Sequence, residues 1–166
     1  MPDDSRAETR SQTQHSPMNV TNNVLKRAFN DDIPVTPMKL QRLLYLTAVD
    51  YARRTGGPLL YEPFQAWRYG PVLRSVYDKF LPIGHDPIRV YARNAAGEAR
   101  LVNEAKRPEV ARTVDAVWAE FRHVPVVELA RIICQPGTVW HRTVSAGEGT
   151  PIPDRDIWSD VFFAPV

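Results

Sequence analysis

Residues 36–76 leave this chain little choice of fold. Thr36-Pro37 sets a hydroxyl N-cap before a proline at the first helical position, where the missing N–H is one of the helix's orphan donors anyway. The helix that follows runs to about Arg54, where Gly56-Gly57-Pro58 stops it. Leu40, Leu43, Leu44, Thr47 and Tyr51 recur at intervals of three and four and form its expected buried face. Lys39, Arg42, Leu46, Asp50 and Arg53 fall on another side. Because Lys39, Arg42, Arg53 and Arg54 face Asp50 alone, the helix carries a local charge of +3 and is expected to show a solvated, basic face with snorkelling stems. Then comes a rigid aromatic corner, Ala66-Trp67-Arg68-Tyr69-Gly70-Pro71-Val72. Pro63 and the aromatics make residues 64–67 extended, and Tyr69-Gly70-Pro71 turns the chain.

The remaining elements follow from the same devices. Ser16-Pro17 opens a first helix striped by Val20, Val24, Leu25, Ala28 and Phe29, ending near Asn30 with Asp31 and Asp32 in the loop. Pro71 is expected to open a helix with Val72, Val76, Tyr77 and Phe80 on its apolar side. Residues 88–92 and 99–103 flank a turn-forming segment and predict a small β-hairpin. Further helices are predicted over residues 108–122, from Pro125 with Val126, Leu129, Ala130 and Ile133 on one face, and from about Pro153 with Ile157, Trp158, Val161 and Phe162. A short turn is expected from Thr138 to Val144, with Trp140 as a core plug and His141 exposed. The expected fold is mainly α (α+β): a compact single-domain helical bundle with a small β-hairpin. Residues 1–16, polar and mixed in charge, are read as a disordered leader and residues 17–166 as the domain.

Composition narrows the function classes. No run approaches the ~20 apolar residues of a membrane span, and the N-terminus lacks the apolar core of a secretory signal. The lone Cys134 cannot form an internal disulfide, which favours a reducing cytoplasm; it is read as a small buried hydrophobe. His15, His85, His123 and His141 lack metal-site spacing, and Gly56-Gly57-Pro58 lacks the lysine and helix start of a phosphate loop, so neither metal nor cofactor is expected. A triad of Cys134, His141 and Asp154 or Asp156 can be drawn, but no signature supports it. A net charge of +2 is too even for an overall nucleic-acid footprint, although Arg68 and Arg74 beside Trp67 and Tyr69 offer a local stacking patch. The structural alternative is that Trp67 and Tyr69 simply support the turn.

Taken together, TPMKLQRLLYL, Leu59-Leu60-Tyr61-Glu62, the Ala66 to Val72 corner with Tyr77, VELARIICQPGTVWHRT and a terminal Ile-Pro-Asp helix resemble the Panacea domain, the group of SocA-like antitoxins and phage-associated GepA-like proteins. The resemblance spans residues 20–163. The matching positions are Pro37, Lys39, Leu40, Gln41, Leu44, Tyr45, Trp67, Tyr69, Gly70, Pro71, Val72, Tyr77, Leu129 and Trp140. The long glycine-rich linker over residues 145–151 departs from the pattern.

The resemblance implies a non-enzymatic antitoxin that neutralises a toxin encoded beside it by direct binding, with delivery of that toxin to a ClpXP-type protease as a second role. Buried Trp, Tyr and Arg anchors carry most of the affinity of protein interfaces, so Lys39, Arg42, Trp67, Arg68, Tyr69 and Arg74 form the expected partner-binding face. A homo-oligomer is a further partner this reading admits. A DNA-binding regulator of its own operon, a phage-associated accessory protein and a Cys134 hydrolase stay open as rivals.

Overall fold

The computed structural model describes residues 14–160. Among these are seven α-helices and a three-stranded antiparallel sheet: α1 (Pro17–Asp31), α2 (Pro37–Thr55), β1 (Gln65–Trp67), β2 (Gly70–Val72), α3 (Arg74–Phe80), α4 (Pro108–Phe121), α5 (Val126–Ile133), α6 (Val139–Ala146), β3 (Thr150–Pro151) and α7 (Asp154–Ile157). The mainly α fold with a small β-hairpin is therefore what forms. No helix of the described residues is long and apolar enough to cross a membrane. Residues 1–13 of the expected leader, and Val161 and Phe162 of the expected last helix, lie outside the described residues. His15, near the end of the leader segment, pairs with the chain after α2: its N–H donates to Leu59 O (2.8 Å), and its carbonyl accepts from Tyr61 N (3.2 Å).

Both proline caps form as their chemistry requires. Ser16 Oγ accepts from Asn19 N at 3.4 Å and Thr36 Oγ1 from Lys39 N at 3.3 Å, each satisfying a donor of the first turn. Gly56, at φ 76°, closes α2 in the left-handed conformation, with its N–H on Ala52 O at 2.8 Å.

The first correction concerns the solvated basic face expected of α2, which holds at the exposed Arg53 and Arg54 but not at Arg42, Leu46 or Asp50. Every residue from Leu40 to Ala52 is buried, including Arg42 and Asp50, each only 6% exposed. The reason is topological. α1, α4, α5 and β2 pack around α2, so it is the bundle's axis and its polar side chains must find partners inside. Asp50 Oδ2 accepts from Arg54 Nε at 2.6 Å and from the Thr113 hydroxyl, tying α2 to α4.

The second correction concerns the strands. Residues 88–92 and 99–103 form no hairpin, and neither arm is a strand. The turn between them does close, with Asn94 N on Glu98 O at 2.8 Å. The arms are held instead by two carboxamides of α1. Asn22 donates to Ala92 O (2.9 Å) and Arg100 O (2.8 Å) and accepts from Ala92 N (2.8 Å). Asn23 donates to Val102 O (3.1 Å) and accepts from Val102 N (2.8 Å).

The hairpin that does form is the aromatic corner itself. β1 and β2 pair with Gln65 opposite Val72 and Trp67 opposite Gly70, and β3 adds to the other side of β1 with Ala66 opposite Thr150. Pro71 fits because β2 is an edge strand, where no partner needs its missing N–H. The last two residues of the glycine-rich linker thus become a strand, clamped by Gly149 N on Ala66 O and Ile152 N on Phe64 O, both 2.7 Å.

Pro71 consequently does not open a helix; α3 starts at Arg74 after an extended Leu73. Both backbone groups of Leu73 are held by the Gln41 amide, N–H to Oε1 at 2.9 Å and C=O from Nε2 at 3.1 Å, which keeps that residue out of the helix. The expected turn over residues 138–144 is the full helix α6, capped by Thr138. Asp160, 4% exposed, accepts from Tyr45 OH and from Val139 N, both 2.9 Å, and binds the last described segment to α2 and to the start of α6.

Replacing Asn22 by Leu would leave the N–H of buried Ala92 without a partner, and an unpaired buried donor costs about 1–3 kcal/mol. Urea unfolding of Asn22→Leu should show a loss of at least about 2 kcal/mol. An unchanged midpoint would mean that these bonds do not hold the 88–103 segment.

Candidate functional site

The corner and the start of α2 and α3 enclose a cleft of about 470 Å³. Its aromatic wall is Trp67 against Tyr77, edge-to-face with ring centroids 4.7 Å apart. Pro71, Val76 and Phe80 are its buried apolar lining, and Met38 (44% exposed) and Leu81 (56% exposed) lie at its surface with His85 and Glu148. On the other side of Tyr69, a more open depression is lined by Val127, Arg131, Cys134 and Trp140. Arg42, Arg68 and Tyr69 line both hollows.

The hairpin geometry produces this arrangement. Two-residue hairpin turns usually place positive φ inside the turn. Here neither Arg68 nor Tyr69 has it, and the departure falls on Gly70 at φ 134°. That holds Tyr69 outward, 68% exposed, with the Arg68 guanidinium 5.4 Å from its ring centre. Trp67 is fixed from several sides: its Nε1 donates to Gln65 Oε1 and its carbonyl accepts from Trp140 Nε1, both at 2.8 Å. The expectation of Trp140 as a buried plug agrees with this bond, and His141 is exposed.

Four of the six residues singled out from the sequence, Arg42, Trp67, Arg68 and Tyr69, come together in the cleft. Arg74 stands at its edge, 5.7 Å from the Trp67 ring centre and paired with Asp78 at 3.1 Å. Lys39 is elsewhere. Its Nζ donates to Arg122 O at 2.5 Å, where a cation at the C-terminal end of α4 steadies the helix. Met38, Leu81 and His85 were missed by the sequence reading. Met38 offered one signal, an apolar residue off the core stripe of α2; nothing local marked the other two.

Arg42 is the unusual group of the site. Nη2 donates to Tyr69 O at 2.7 Å and Nη1 to Met38 O at 3.2 Å, while buried Nε has no partner. Burial pulls its pKa below the ordinary arginine value, and no carboxylate among the described residues lies within ion-pair distance. Cys134 sits beside it: a Cβ built on Gly70 would lie 3.7 Å from Sγ and 3.8 Å from Arg42 Nη2. Burial pushes the Cys134 thiol up to about 11, against a smaller downward pull from Arg42. The triad drawn from the sequence is not hydrogen-bonded: among the described residues no bond joins Cys134, His141 and Asp154 or Asp156, and Asp154 lines a different hollow from Cys134.

Two measurements follow. A thiol at about 11 rather than the ordinary 9.0 carries about a hundredfold less thiolate below pH 9, so native Cys134 should alkylate slowly at pH 8 and rapidly in urea. In the unfolded chain the thiol ionises first, so this group also lowers native stability as pH rises from 9 toward 11. Fast labelling of the folded protein would contradict that environment. Gly70→Ala meets no clash closer than ordinary contact, so its expected loss of about 1–3 kcal/mol in a thermal melt comes from φ alone; an unaltered melt would show that the hairpin relaxes freely.

Comparison with known proteins identifies the family. The family model described as Antitoxin SocA-like, Panacea domain, matches residues 40–141, which include α2 from Leu40 onward, the hairpin, α3, α4 and α5. The chain is also 27% identical over 134 residues to Antitoxin SocA of Caulobacter vibrioides (strain NA1000 / CB15N), covering 79% of this chain and 71% of that relative. No solved structure matches it significantly. With more than half its length matched by that model, the chain belongs to the SocA-like antitoxin family, the Panacea domain proteins.

Proposed function

We propose that this chain is an antitoxin that neutralises a cognate toxin by direct protein contact through the Trp67 and Tyr69 cleft, with no reaction of its own. The observation that carries the reading is the cleft's make-up. The hairpin carries an exposed Tyr69, Trp67 and Arg68, which meet Tyr77 of α3 and the buried cation Arg42 of α2 beside the exposed apolar groups Met38 and Leu81. Trp, Tyr and Arg in such pockets supply most of the affinity of protein interfaces, and a preformed scaffold limits the entropy lost on docking. Family membership supports the antitoxin role in general terms. Delivery of the bound toxin to a ClpXP-type protease is the second step we assign. It predicts a toxin half-life that lengthens when ClpX is depleted, and an unchanged half-life would confine the chain to sequestration.

Co-expression with the toxin encoded beside it tests the face. Trp67→Ala and Arg68→Glu should each lose protection, with affinity reduced by about 2 kcal/mol or more at a true anchor. Arg68 is exposed and its side chain appears in no ion pair of the described residues, so Arg68→Glu should leave the fold intact. Folded variants that still rescue growth would place the contact elsewhere. A salt-dependent shift of promoter DNA by the chain alone would instead favour the DNA-binding reading.

A further inference from the structure

We propose that the toxin presents an acidic residue to this cleft, its Asp or Glu carboxylate facing Arg42 and Arg68 while a neighbouring apolar side chain fills the Trp67 and Tyr77 wall. The inference rests on the reading that the cleft holds the toxin and adds the chemistry of what enters.

A buried cation is expensive unless paired, and unpaired ones are rare. Arg42 is more than nine-tenths buried, has only two backbone carbonyls as acceptors and leaves Nε unsatisfied. Arg27, largely buried in the same fold, is treated differently: it meets Glu104 at 2.5 Å and Asp115 at 2.8 Å. The one acidic side chain lining the cleft, Glu148, accepts from the Arg68 backbone N–H at 3.3 Å rather than from either guanidinium. Arg74 and Arg131 nearby already have Asp78 and Glu128. Arg42 and Arg68 are therefore the cations left without a carboxylate in the cleft, and both line it and the depression beyond Tyr69. A carboxylate seated against this pair would gain charge-assisted hydrogen bonds in a partly desolvated site, where such bonds are strong and directional. The apolar remainder of the cleft then takes an aliphatic or aromatic neighbour, which excludes water from the pair.

The experiment uses the full chain and the purified toxin encoded beside it, with each toxin Asp and Glu changed singly to Asn or Gln. One such change should weaken binding at least about tenfold, and the loss should vanish against Arg42→Gln in a double-mutant cycle. Because Arg42→Gln lies in the core, the exposed Arg68→Glu provides a second route. It should weaken native toxin at least about tenfold, and reversing the same toxin acid to Lys should restore most of that loss. If every neutralised toxin binds within about twofold of native, or no reversal to Lys restores binding to Arg68→Glu, the inference is overturned while direct binding stands. Displacement of the toxin by an equimolar single-stranded oligonucleotide would also overturn it, assigning the cations to phosphate. A toxin that does not bind the chain at all removes both this inference and the proposed function.

Discussion

The fold depends on side-chain carboxamides that stand in for strand pairing. Asn22 and Asn23 on α1 and Gln41 on α2 each bond both the N–H and the C=O of one residue in an irregular segment: Ala92, Val102 and Leu73. An amide carries a donor and an acceptor in one plane, as a peptide group does, so it can close the pair that a neighbouring strand would close. A segment such as 88–103 can then cross the bundle without regular structure and without leaving buried backbone groups unpaired. The cost is that three polar side chains must be buried in fixed rotamers, which only a well-packed helix face can impose.

The same device places the functional site. Gln41 holds Leu73 extended, Leu73 delays α3 until Arg74, and the chain between β1 and α3 therefore remains a hairpin instead of winding on as a helix. With Gly70 absorbing the unusual backbone angle, Tyr69 is pushed outward and its carbonyl turns to Arg42. Arg42 is thus bound into the hairpin from beneath while staying short of a negative partner. The cationic pair of the cleft, Arg42 and Arg68, has no carboxylate partner among the described residues. Beside it, burial pushes the Cys134 thiol up to about 11.

Much of the fold was legible because helix caps are local chemistry. Ser16-Pro17, Thr36-Pro37 and Gly56 mark their helix ends within one residue, since a hydroxyl, a missing N–H and a tolerated positive φ act over a single turn. The strands were less legible: the apolar residues of 88–92 and 99–103 were recognised, but their hydrogen-bond partners lie some 70 or more positions earlier in the chain, beyond the reach of any local pattern. In the site, the aromatic corner was visible as a cluster of large residues, and it supplied Trp67, Arg68 and Tyr69. Leu81 and His85 were invisible because they reach the cleft through the path of α3 and the turn after it, not through any motif.

From the sequence alone came the family signature, by resemblance, and the mainly α class, the long capped helix and the aromatic corner, which are consequences of residue types acting on near neighbours. Only the tertiary structure could decide that α2 is buried on every side. Periodicity reports which residues share a face, not how many faces are covered, so Arg42 read as solvated and Lys39 as a contact. Packing by α1, α4, α5 and β2 sank Arg42 beneath the cleft and set Lys39 on the end of α4. The corner between residues 66 and 72 was local; the buried charge beneath it was not.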